Sequence, residues 1–103
     1  MGHMQLSHTK IVPEAWQDLT PEQNDAQSAA IYEVIGRNGG DVKVVGWLPS
    51  NISLVSVIEY PDETAAKRSV AEIVALGTLE FTSIQNIWDV GEWTQMLRAA
   101  NGG

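Results

Sequence analysis

Read with a two-residue period, Gln5 to Val12 places Ser7, Thr9 and Ile11 on one side and Leu6, His8, Lys10 and Val12 on the other. That two-residue period predicts a first strand, which Pro13 ends. A connector over residues 14–19 carries Trp16, a large side chain expected to fold back onto the core. The period then lengthens. Thr20-Pro21-Glu22-Gln23 combines a capping threonine, a proline at the first helical position and a glutamine three residues past the cap. Ala26, Ala30, Ile31, Val34 and Ile35 follow at helical spacing, and Gly36 with Asn38-Gly39-Gly40 stops the helix.

Asp41–Leu48 and Ile52–Tyr60 read as two strands joined through Pro49-Ser50-Asn51, a hairpin. Both carry apolar residues on both faces, so each side of the sheet must be covered. Pro61-Asp62-Glu63 opens a second helix whose buried stripe is Ala66, Val70, Ile73 and Val74, with Gly77 as a left-handed C-cap. Leu79–Trp88 is the fourth expected strand. Asp89-Val90-Gly91-Glu92 has the spacing of another capping box, and Trp93, Met96, Leu97 and Ala100 give a short amphipathic C-terminal helix.

The order β-α-β-β-α-β-α is the split pattern of the ferredoxin-like α+β fold. Right-handed crossovers put both long helices on one face of a four-stranded antiparallel sheet. The other face would then present Val, Ile or Trp to water. Pairing two such sheets into a dimeric α/β barrel covers it, so a homodimer, with higher assembly left open, is the expected partner arrangement.

Length and charge narrow the function. The 103 residues suit one domain, with residues 1–3 read as an expression-tag remnant and 4–103 as the domain. There is no cysteine, which removes disulfides and thiolate chemistry. Six basic residues against thirteen acidic ones leave a net charge of −7, and no basic cluster exceeds Lys67-Arg68. Nucleic acid and anionic membranes are therefore not expected partners. No apolar run approaches the ~18 residues of a membrane span, and the N-terminus lacks a secretory pattern, so cytoplasmic residence is expected.

From Gly39 onward the chain resembles the GYD-domain families of the dimeric α/β-barrel superfamily. The residues that carry this are Gly39-Gly40, the strand to Trp47, Val57-Ile58-Glu59-Tyr60-Pro61-Asp62, the alanine-containing helix after it, and Leu76-Gly77. The resemblance covers roughly the last two-thirds of the chain and implies the fold and the pairing. The families' Gly-Tyr-Asp signature would fall near Pro49–Ser53, where no such tripeptide occurs, so no role of that tyrosine or aspartate carries over. The superfamily contains cofactor-free monooxygenases, isomerases and haem-degrading enzymes, and so implies no single activity.

Several residues can carry chemistry, each with a structural alternative. His8, the single histidine outside the tag remnant, is a candidate general base or a satisfied core-edge residue. One histidine makes a metal site unexpected, and no cofactor is expected. Trp47 and Trp88 can wall an aromatic pocket or simply pack, as can Trp16 and Trp93 nearer the edge. Asn51 with Trp47 and His8 resembles a trio of small oxygenases in the superfamily, although asparagine in a hairpin turn has its own backbone reason. Glu59 can act as an acid or base against an apolar sheet, or pair with Lys43 or Lys10. Tyr32 and Tyr60 can orient a ligand. No phosphate loop or hydrolase signature is present.

The leading expectation is a homodimeric protein that binds a small apolar or aromatic molecule in a cleft between sheet and helices. Trp47, Trp88 and Tyr32 would wall it, with His8 as the nearest polar group. A cofactor-free monooxygenase or isomerase, with His8 as base and Tyr32 or Asn51 orienting substrate, is the second reading. A purely structural assembly protein is the third.

Overall fold

The alternating segment forms β1 (His3–Ile11), beginning inside the stretch read as a tag remnant and stopping before Val12. The computed structural model describes residues 2–102; Met1, part of that remnant, and Gly103 lie outside the described residues. Pro13 starts a single turn, α1 (Pro13–Trp16), and the Trp16 indole N–H donates to the Thr78 carbonyl at 2.8 Å. α2 (Pro21–Arg37) has the predicted capping box: Thr20 Oγ1 accepts from the Gln23 N–H, and Gln23 Oε1 accepts from the Thr20 N–H.

β2 (Asp41–Leu48) and β3 (Ser53–Tyr60) form the hairpin. Asp62 caps α3 (Glu63–Leu76) by accepting from the Ala65 N–H at 2.8 Å, and Gly77 ends it at φ +74°. β4 (Leu79–Asn86) stops short of the predicted Trp88. Ile87 still donates to the Met4 carbonyl, but Asp89 then turns the chain into α4 (Val90–Ala100) by capping the Glu92 N–H.

The chain is α+β, with an antiparallel sheet in the order β2-β3-β1-β4. This order is compatible with the ferredoxin-like pattern. Directly opposed residues of antiparallel strands share a face. Gln5 with Ile58, Ser7 with Ser56 and Thr9 with Leu54 thus lie on one face, which α2 and α3 cover. Leu6 with Val57 and His8 with Val55 lie on the other. A register shift at Lys43 lets Val42 join Ile58 on the helix side while Val44 joins Val57 on the bare side.

The core is made by Val34 and Ile35 of α2, Ile58 and Tyr60 of β3, Ala65, Ala66 and Ile73 of α3, and Leu79 of β4. Behind it, Gly39 adopts φ +75°, and a Cβ on Gly40 would sit 2.6 Å from Ile35 Cγ2 and 2.8 Å from Tyr60 Cε1. Only glycines let the chain turn this tightly from α2 into β2. The Asn38 amide donates to Val34 O and to Glu72 Oε1, and Arg37 donates to Glu72 Oε2. Those bonds tie α2 to α3 and hold the Glu72 carboxyl below its ordinary range.

Tyr60 is 1% exposed, and its hydroxyl donates to Ser69 Oγ at 2.8 Å. Burial holds its phenol above the ordinary value of 10.0, with the Ser69 bond pulling the other way. Tyr60→Phe is expected to cost about 1–2 kcal/mol at neutral pH, read by urea unfolding, because Ser69 loses its buried partner. A folded-state pKa above the unfolded one gives stability that is whole below pH 10 and lost as pH rises through the folded value. The phenylalanine protein should accordingly show a flatter alkaline limb above pH 10.

α4 buries none of its residues and packs closely against no other element. The radius of gyration is 16.4 Å and the longest dimension 61 Å, against ~13 Å expected for a compact chain of this length. Trp88 (69% exposed) tilts against Trp93 at 5.4 Å between ring centroids, and Met96 and Leu97 are also exposed.

Candidate functional site: a cavity between sheet and helices

α2 is buried only in its last turns, at Val34 and Ile35. Between it and the sheet lies a cavity of about 350 Å³. Its floor is polar. Alternate residues of the inner strand β1, namely Gln5, Ser7 and Thr9, lie beside Ser56 of β3. The Ser7 and Ser56 hydroxyls bond to each other at 2.7 Å. Its walls are apolar, with Ile31 and Ile35 from α2, Leu54 and Ile58 from β3, Phe81 from β4 and Trp16 from α1. Trp47 and Tyr32, each about half exposed, form the rim. No Asp, Glu, Lys, Arg or His is among the described residues lining it.

Of the residues singled out in the sequence, the structure brings Trp47 and Tyr32 together at this cavity. His8 is not there. It lies on the opposite face, across from Val55 and Ser83, with the sheet between it and the cavity. The expectation that His8 is the polar group nearest the cleft is corrected: Gln5, Ser7, Thr9 and Ser56 hold that place. Alternation had set His8 and Ser7 on opposite sides, but an alternating strand gives no sign of which side the helices will cover.

Trp88 also lies elsewhere, because β4 ends before it; Phe81 supplies the β4 wall instead. Trp88 and Glu59 line a second hollow of about 700 Å³, shared with His3, Met4, Trp93 and Met96. Glu59 Oε1 is 3.7 Å from Lys43 Nζ, the pairing weighed from sequence, and Lys43 also donates to Asp41 at 2.6 Å. The Asp41 hydrogen bond and charge, with a smaller contribution from Glu59, hold the Lys43 ammonium above its ordinary value. Asn51 is exposed in the hairpin turn, where its N–H donates to the Leu48 carbonyl, and it lines neither space.

Among the described residues no cluster of three or more His, Asp or Glu is placed to hold a metal ion, and no helix is long and apolar enough to cross a membrane. Compared with models of protein families, with curated proteins and with solved structures, the chain matches none.

Proposed function

We propose that this chain is a homodimeric binding protein for small, uncharged, largely apolar molecules, held between the sheet and α2. The observation that carries this reading is the cavity itself: about 350 Å³, apolar-walled, aromatic at its rim and free of ionised side chains among the described residues. Ligand sites commonly have volumes of ~300–1,000 Å³ and a few placed polar groups. The enzyme reading with His8 as base is weaker, because that imidazole faces away from the cavity.

The dimer is supported by the bare face, where Leu6, Val44, Val55 and Val57 adjoin. Strands ~4.8 Å apart, with eight residues at ~3.3 Å each, give four strands a face of roughly 500 Å². That falls short of the ~800 Å² per partner of a stable interface. Met4 and Glu59 of the same face line the hollow beside Trp88, Trp93 and Met96, so the stripe of α4 continues the apolar surface and can supply the remainder. Two ferredoxin-like protomers paired in this way form a dimeric α/β barrel, the arrangement that the GYD-domain resemblance implies.

Titration with the neutral fluorophore 1-aminoanthracene tests the site. One molecule per chain is expected to bind. Trp47→Ala should weaken binding about tenfold through the lost aromatic contact, and His8→Ala should leave it unchanged. Binding that survives Trp47→Ala but disappears with His8→Ala would move the site to the other face and reject this reading.

A further inference from the structure

We infer that the cavity recognises an edge: it takes a flat, uncharged molecule that presents a hydrogen-bond donor and acceptor side by side, as in a primary carboxamide, a lactam or an imide, to the amide of Gln5. This rests on the binding reading above and names the chemistry of its ligand.

Gln5 sits on an inner strand and is 5% exposed, yet its side chain lines the cavity. Among the described residues no protein group hydrogen-bonds its amide. Its amide atoms are not sealed off without a partner, as Thr78 Oγ1 is, so they open onto the cavity and are free to pair with whatever occupies it. The neighbouring floor groups behave differently. Ser7 and Ser56 bond to each other at 2.7 Å across the middle of the floor, leaving Gln5 at one end with a donor and an acceptor side by side and Thr9 at the other with a single hydroxyl.

Geometry sets the shape. Side chains on one face of a strand recur every ~6.6 Å, so Gln5 to Thr9 spans about 13 Å, the length of a molecule with two or three rings. The volume of about 350 Å³ equals on the order of twelve waters at ~30 Å³ each, which fits a ligand of that size and no polymer. Ile31 and Ile35 above, with Ile58 and Phe81 to the sides, favour a flat apolar body. An ion would lose its hydration here and meet no opposite charge, so the ligand is neutral. A carboxamide oxygen and NH₂ lie in one plane, and a complementary amide edge makes two bonds to them in either orientation of the glutamine.

Three probes of one shape separate these statements: naphthalene, 2-naphthamide and 2-naphthoate, titrated by ¹H–¹⁵N NMR of the full-length chain. The amide is expected to bind at least tenfold more tightly than naphthalene, the equivalent of one or two net hydrogen bonds, and the carboxylate most weakly. Only 2-naphthamide should shift the Gln5 side-chain NH₂ resonances strongly, a measurement that needs no variant. Gln5→Met, close in volume, should erase the advantage of the amide and leave naphthalene within twofold. Equal affinity for naphthalene and 2-naphthamide, an advantage that persists in Gln5→Met, or 2-naphthoate binding as tightly as the amide overturns the edge inference while the cavity stands. If none of the three binds up to its solubility limit, the binding reading itself fails.

Discussion

Val57→Asp is expected to abolish the proposed dimer and leave a folded monomer. Val57 lies on the bare face, opposed by Leu6 of β1 and Val44 of β2. In the isolated chain an aspartate there points to water and should leave the core, which lies on the other side of the sheet, undisturbed. In a face-to-face dimer the same carboxylate loses much of its hydration and is brought toward its symmetry mate. A cost of about 4 kcal/mol is modest for such burial, and it corresponds to roughly a thousandfold weaker association. Sedimentation velocity across micromolar concentrations reads this directly, and circular dichroism shows whether the fold persists. A dimer that survives Val57→Asp with an unchanged dissociation constant would mean that the sheet face is not the interface. A native chain that sediments as a monomer would remove the dimer altogether.

Ile58→Ala should be the most damaging single truncation in the fold, lowering stability by about 2–5 kcal/mol. Ile58 is 4% exposed, lies on the helix side of an inner strand, and is opposed there by Gln5 and Val42. It belongs to the core and also lines the cavity, so three lost methyl-type groups enlarge a space that is already open and that cannot collapse to compensate. For a domain of this size such a loss is a large share of the total stability. Urea unfolding measures it, and a change below 1 kcal/mol would place the core elsewhere.

Much of the architecture was legible because each boundary has a local chemical cause. Thr20 with Gln23, Asp62, Gly77 and Asp89 cap or stop helices in the structure as their spacing predicts. The ends of strands were less legible. β1 starts at His3 and β4 ends at Asn86, since pairing with neighbours, not composition, sets where a ladder stops. Local pattern could not place the register shifts beside Lys43 and between His8 and Thr9, which re-aim side chains by choosing partners from distant segments.

The candidate site divides along the same line. Trp47 and Tyr32 were found because large aromatic residues draw attention wherever they fall. Gln5, Ser7, Thr9 and Ser56 were missed because a polar row on a strand ordinarily signals a wet face. Here that row faces the helices, and the greasier row of Leu6, Val55 and Val57 is the one left bare. Polarity on the covered side is the signal that would have found the site, once the covered side was known.

α4 is eleven residues long, shorter than the ~12–15 residues an isolated helix needs to persist in water, and none of its residues is buried by its own chain. Its amide protons should therefore exchange with deuterium almost as fast as those of an unstructured peptide whenever the chain is alone, while those of β1 and β3 wait for global opening. If a second copy shelters the helix, its protection grows with protein concentration and that of the inner strands changes far less. The C-terminal segment would then act as a built-in gauge of assembly, with an exchange rate that reports the fraction of chains that have found a partner.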